Sequence, residues 1–220
     1  MLHLYALAQR PVRVPEFAGV DGSTLRRVQV GGIDAVVSDV DGDGASPAEA
    51  EILAHAQVVE ALSKLNEAVL PARFERAHAD EEALTQAVGA RDGQLQQALA
   101  RVDGCVEIGL RVLRARAQPI DESERTGREY LLARRDEVRA AETVASALRQ
   151  TLDPMARASE LRVLATSQAV LTGAFLVPRE RLNAFTESIE RIGRDQPGLT
   201  FVCTDPWPAY SFATVEARDE

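Results

Sequence analysis

Few residues in this chain are spaced for chemistry. Asp39, Asp41, Asp43 and Gly44 match the opening of a calcium loop, in which alternating acidic side chains converge on one cation. The rest of the loop does not follow: Pro47 stands at the ninth position, Ala50 stands at the twelfth where a bidentate Glu belongs, and a strand precedes it instead of a helix. These residues read as a solvated acidic loop. His3, His55 and His78 lack the spacing that would bring two ligands to one metal. His55 lies between Ile52 and Val59 at the core edge of a helix, the place of a structural histidine. Cys105 and Cys203 have no flanking histidine or basic pair to lower a thiol pKa, and read as buried small hydrophobes. Nucleophile elbow, P-loop and dinucleotide-binding glycine motifs are all absent. The expectation is a chain that is not an enzyme and uses neither metal nor cofactor.

Two segments look built for contact. Pro206 and Pro208 remove two backbone donors on either side of Trp207, the only tryptophan, so this segment cannot be a central strand. Tyr210 and Phe212 face one side if the chain stays extended. The cluster reads as an aromatic plug that pins the C-terminus to the core, with a partner-binding patch as the alternative because Trp and Tyr favour interface centres. The second segment is a long helix expected over Glu122–Leu152. At 1.5 Å per residue it would run roughly 45 Å against a strand of ~20 Å, so part of it overhangs. Val138, Ala141, Ala145, Leu148 and Leu152 form a two-heptad seam on it, suited either to a partner helix or to the chain's own first domain.

The elements that must carry these residues follow from the remaining pattern. The 220 residues hold 34 acids and 25 bases, a net charge of −9, which disfavours a broad cationic surface for nucleic acid. The first residues form an apolar run too short for a signal peptide, and no membrane-length apolar stretch occurs, so the cytoplasm is the expected location. Leu2–Ala8, Leu25–Val30 and Ile33–Ser38 are expected strands, the last two joined at Gly31-Gly32. A helix capped at Ser46 is expected to end before Pro71, followed by a strand over Val69–Phe74 and a helical stretch over Asp80–Val102 broken near Gly89 and Gly93. From Cys105 onward the order is strand, long helix, strands at Leu161–Ser167 and Val170–Val177, helix at Arg179–Ile192 and strand at Leu199–Cys203. That is the βαββαβ order of a ferredoxin-like domain, whose first and last strands are neighbours, so Cys105 is expected near Cys203. The fold class is α+β, with an N-terminal α+β domain over residues 1–103 and a ferredoxin-like domain over 104–220.

Five segments in order carry a resemblance: the strand Leu4-Tyr5-Ala6-Leu7, the stretch from His55 to Leu62 followed by Val69-Leu70-Pro71-Ala72-Arg73-Phe74, Val106-Glu107-Ile108-Gly109-Leu110-Arg111-Val112, Gly127-Arg128-Glu129-Tyr130-Leu131, and the run from Pro206 to Phe212. Together they resemble gas vesicle accessory proteins of the GvpL/GvpF type. Asp205, Ala209 and Glu75 depart from that pattern. The resemblance implies a non-catalytic component of gas vesicle formation, cytoplasmic and vesicle-associated, that binds the small hydrophobic shell protein and other accessory proteins. Its motif positions here are Pro71, Arg73, Phe74, Glu107, Gly127, Arg128, Tyr130, Pro206 and Pro208. Candidate contacts are Trp207, Tyr210 and Phe212, and Val138, Ala141 and Leu148 on the long helix. The rival expectation is a small-ligand sensor or enzyme that uses the ferredoxin-like sheet as a platform.

Overall fold

A computed structural model describes residues 1–40, 48–74, 76–115, 126–164, 166 and 168–213. The acidic-loop residues Asp41, Asp43 and Gly44 and the expected cap Ser46 lie outside them. The chain divides into two compact units of mixed helix and sheet, one formed by Met1–Cys105 with the segment from Trp207 onward, the other by Val106–Pro206. The aromatic segment, expected to close the second half, thus belongs to the first.

In the first unit the strands are β1 (Leu2–Gln9), β2 (Arg26–Val30), β3 (Ile33–Asp39), β4 (Val69–Pro71) and β5 (Ala77–His78). They pair in the order β2-β3-β1-β4, with β5 also on β1. The β2–β3 hairpin turns where expected, and only its first glycine takes a left-handed backbone, Gly31 at φ +58°. Strand β1 is buried along all but its last residue, as a central strand covered on both faces must be. Helix α1 (Glu49–Leu65) supplies Val58, Val59 and Leu62 to a core with Tyr5, Ala6, Ala8 and Val36. Its start is two residues later than Ser46 predicts: Ala48 holds the cap position and its N–H donates to Glu51 Oε2 at 3.2 Å. Helices α2 (Glu81–Gly89) and α3 (Asp92–Val102) are the two halves of the stretch expected to break, and Asp80 caps the first by accepting from Ala83 N at 2.8 Å.

The expected strand over Val69–Phe74 is shorter than its sequence implies. Pairing with β1 stops at Pro71, and the chain bulges outward before it returns as β5. Ala72 N donates to Tyr5 O at 2.8 Å on the way out, and Leu4 N donates to Arg76 O at 2.9 Å on the way back. Arg73 and Phe74 occupy the excursion.

The second unit contains β6 (Cys105–Arg114, from its second residue), α4 (Gly127–Leu152), β7 (Ala158–Val163), β8 (Ala169–Pro178), α5 (Leu182–Arg194) and β9 (Leu199–Cys203). The sheet order is β7-β8-β6-β9, with β7–β8 and β6–β9 antiparallel. Leu110 stands opposite Cys203, so Cys105, five residues back along β6, lies about 16 Å from that pair at ~3.3 Å per residue. The expected proximity of the cysteines fails, because the register is slid by half a strand; neither cysteine is in a disulfide.

Helix α4 begins at a capping box, with Thr126 N donating to Glu129 Oε2 at 2.9 Å and Glu129 N donating to Thr126 Oγ1 at 3.4 Å. Its seam is the inner face of the unit. Ala141, Ala145, Leu148 and Leu152 are fully buried with Ile108, Leu110, Phe175 and Phe185, and Val138 is half-buried at the edge of that core. The overhang is therefore at the other end of the helix, where Tyr130, Leu131 and Leu132 are exposed. Ala141 and Leu148 have no surface to offer a partner while the core is closed.

The aromatic segment is also divided in a way the sequence did not suggest. A short 3-10 turn over Tyr210–Phe212 replaces extended chain, so Tyr210 and Phe212 do not share a face. Phe212 is the buried plug, 3 % exposed, with the Arg101 guanidinium 5.4 Å above its ring; Trp207 is 53 % exposed. Phe212→Ala is expected to cost about 3–5 kcal/mol and Trp207→Ala about 1 kcal/mol or less, which paired thermal melts of the two variants would read.

Candidate functional site

Bulging of the chain after Pro71 opens a groove of about 420 Å³ in the first unit. Its floor is the sheet face bearing Leu4, Leu7 and Leu70. One wall is the α2–α3 corner, with Val88 and Leu95 facing in and Arg91 at the turn. The opposite wall is the β4–β5 excursion with Arg73, Arg76 and His78, and Tyr210 from the C-terminal segment closes one end. Aliphatic side chains thus cover the bottom and guanidinium groups stand at the lip. No Asp or Glu is among the described lining residues, and neither Arg73 nor Arg91 has an acidic partner among the described residues. Burial pushes the Tyr210 hydroxyl up to about 12, so it stays protonated, and burial together with Arg76 holds His78 below the usual histidine range.

A buried polar chain ties the excursion in place. Ala72 O can only accept, so His55 Nε2 donates to it, at 3.0 Å. The neutral ring then has its lone pair on Nδ1, and that atom accepts from His3 Nε2 at 2.8 Å. Both rings are nearly inaccessible, and Phe74 packs on them with ring centroids 5.1 and 5.6 Å away. Burial, and then the neighbouring His55, push His3 down to about 4; burial also lowers His55. Beside them Tyr5 Oη accepts from Val20 N at 2.7 Å and pairs with Ser38 Oγ at 2.9 Å. A side chain at Gly19 would run into that hydroxyl. This cluster supports a loop. With His3 donating to His55 and His55 donating to a carbonyl, the two imidazoles leave one lone pair, and no group of three or more metal-ligating side chains exists among the described residues.

Of the residues singled out from sequence, Pro71, Arg73 and Tyr210 meet at the groove, and Phe74 lies behind its wall. Pro208 and Phe212 are buried, while Pro206 and Trp207 are exposed. Glu107, Gly127, Arg128, Tyr130, Val138, Ala141 and Leu148 belong to the second unit and take no part in this groove. The sequence reading missed Arg76 and Arg91 as rim residues and the meeting of His3 with His55. Nothing local marks either, because the partners are 52 residues apart for the histidines and come from separate elements for the arginines.

The family described as "Gas vesicle synthesis protein GvpL/GvpF" matches residues 1–214. This chain belongs to the GvpL/GvpF family. It is 27 % identical over 249 residues to gas vesicle protein L2 of Halobacterium salinarum, covering 94 % of this chain and 88 % of that one. Against gas vesicle protein F1 of the same organism it is 25 % identical over 222 residues, covering 100 % and 95 %. The crystal structure of GvpF from Anabaena sp. PCC7120 has the same fold, with a TM-score of 0.81 at 20 % identity over 100 % of this chain and 98 % of that one. GvpF from Microcystis aeruginosa superposes with a TM-score of 0.79 at 18 % identity. The groove of this GvpL/GvpF chain is therefore walled partly by two of the segments on which the resemblance rests, those around Pro71–Phe74 and Tyr210. No helix among its described residues is long and apolar enough to cross a membrane.

Proposed function

We propose that this chain is a gas vesicle assembly factor that binds the small hydrophobic shell protein and other accessory proteins, as a chaperone-like adaptor without catalysis, in the cytoplasm and at the vesicle. The observation that carries the reading is the half-open apolar groove bordered by Pro71, Arg73 and Tyr210. A shell subunit with an apolar face and open strand edges aggregates unless those surfaces are covered before it joins the wall. A groove with an aliphatic floor and a charged lip can hold part of such a surface while leaving the complex hydrated. The two compact units are read as two domains. The second is read as ferredoxin-like, because its sheet places the first strand between the last and the third, with two helices in the crossovers.

Light scattering by the purified shell subunit, with and without equimolar chain, tests this. The chain should suppress aggregation and be retained by the immobilised subunit at micromolar concentration. Indifference to the subunit would reject the reading. Turnover of a small metabolite would favour the rival, a ligand-using enzyme.

A further inference from the structure

The charges that the described residues place on the lip of the groove are opposite in sign to the net charge of the molecule. Net charge is −9, yet among the described residues every charged side chain that lines the groove is an arginine: Arg73, Arg76 and Arg91. An apolar ligand would need only the floor, and a phosphate chain would need only the rim while being repelled by the rest of an acidic protein. A ligand that satisfies both carries carboxylates beside a row of apolar side chains. Guanidinium groups suit that task, since their planar donors take carboxylates in bidentate fashion and are only weakly hydrated.

We infer that this groove selects an acidic amphipathic segment of its protein partner, apolar side chains on Leu4, Leu7, Leu70 and Leu95 and carboxylates on Arg73 and Arg91. The inference rests on the reading of the groove as the docking surface, and adds the chemistry that the docked segment must have. Short helices recognised in grooves use this division, with apolar anchors inward and charges at the margin. Rim charges in turn set selectivity and association rate more than total affinity.

The test uses the full chain and two fluorescent 15-residue peptides with the same apolar face, one with glutamates and one with lysines on the polar face. The glutamate peptide should bind, weakening about fivefold or more between 50 and 300 mM NaCl. The lysine peptide should bind at least tenfold more weakly. Arg73→Glu with Arg91→Glu should reverse that preference, and Arg73→Gln with Arg91→Gln should abolish it. Arg13→Glu with Arg27→Glu, also exposed but away from the groove, should leave it unchanged. Equal binding of both peptides, no binding of either, or a preference insensitive to the groove arginines would overturn the inference. It would also be overturned if removing residues 214–220, which include Glu216, Asp219 and Glu220 and follow the groove residue Ala213, raised affinity for the glutamate peptide tenfold, since the groove would then be filled in cis. A separate arm keeps the two readings apart. If the shell subunit is retained equally by the wild type and by the Arg73→Glu, Arg91→Glu variant, the assembly role stands and the acidic-segment inference falls. If the glutamate peptide binds as described while the subunit does not, the assembly reading falls alone.

Discussion

Leu148→Glu is expected to unfold the second unit. The side chain is 0 % exposed among Ile108, Leu110, Phe175 and Phe185. Deleting a buried leucine to alanine costs about 2–5 kcal/mol, and a carboxylate placed there adds a desolvation penalty of several kcal/mol or must take up a proton to avoid it. Against a total stability of about 5–15 kcal/mol, that is most or all of what holds a small domain together. Leu131→Glu, four turns and more toward the start of α4, lies on a ring of exposed residues at 67 % accessibility and is expected to change stability by about 0.5 kcal/mol or less. Circular dichroism and hydrogen exchange on the two variants separate them. If Leu148→Glu left β6, β8 and β9 protected, the seam of α4 would face outward and its assignment to the core would be wrong.

That contrast also shows where the sequence was legible. The three-and-four spacing of Val138, Ala141, Ala145, Leu148 and Leu152 identifies an apolar stripe without saying what covers it. The buried residues that cover it come from β6, β8 and α5, none of them near the helix in sequence. Strands β2 and β3 and the break between α2 and α3 were readable because Gly31, Asp80 and the Gly89–Gly93 interval act within a few residues. Registers were not. The order of segments implies that β6 and β9 are adjacent, but not how far one is slid along the other: a period-two pattern leaves every even slip open, and the register that sets Leu110 opposite Cys203 comes from packing that no local segment carries. The groove divides the same way. Pro71 and Arg73 were named from motif resemblance and Tyr210 from its aromatic cluster, whereas Arg91 and Leu95 join them only through the packing of the α2–α3 pair on the sheet. The sequence leaves the aromatic cluster open between a plug and a patch, because an exposed ring and a buried one have the same local sequence; the turn at Tyr210–Phe212 gives the plug to Phe212 and leaves Trp207 exposed.

Acid should loosen the first unit before carboxylates are lost. In the unfolded chain His3 titrates near 6.5, and in the fold it is pushed down to about 4. At pH 7.5 the imidazole is neutral in both states and adds no pH dependence. Between pH 6.5 and about 4 the unfolded chain takes up a proton that the folded one refuses, so stability falls steadily as pH falls across that window, then levels off. The loss amounts to at most about 3 kcal/mol for His3, reduced by whatever water reaches the ring edge, and His55, also lowered, adds in the same direction. Urea titrations at pH 7.5 and 4.5, followed by hydrogen exchange in β1 and α1, should show the drop. His3→Gln, which keeps a donor and removes the titration, should flatten the slope at a cost of about 1–3 kcal/mol at pH 7.5. Equal midpoints at the two pH values would mean that the rings protonate where they stand. The consequence reaches the groove, because His55 Nε2 holds Ala72 O and that carbonyl precedes Arg73. Charging His55 turns its Nδ1 from acceptor to donor opposite the His3 donor, so the hydrogen bond that keeps the two rings together is lost; His55 Nε2 can still donate to Ala72 O, but the ring that carries this anchor loses its own buried support.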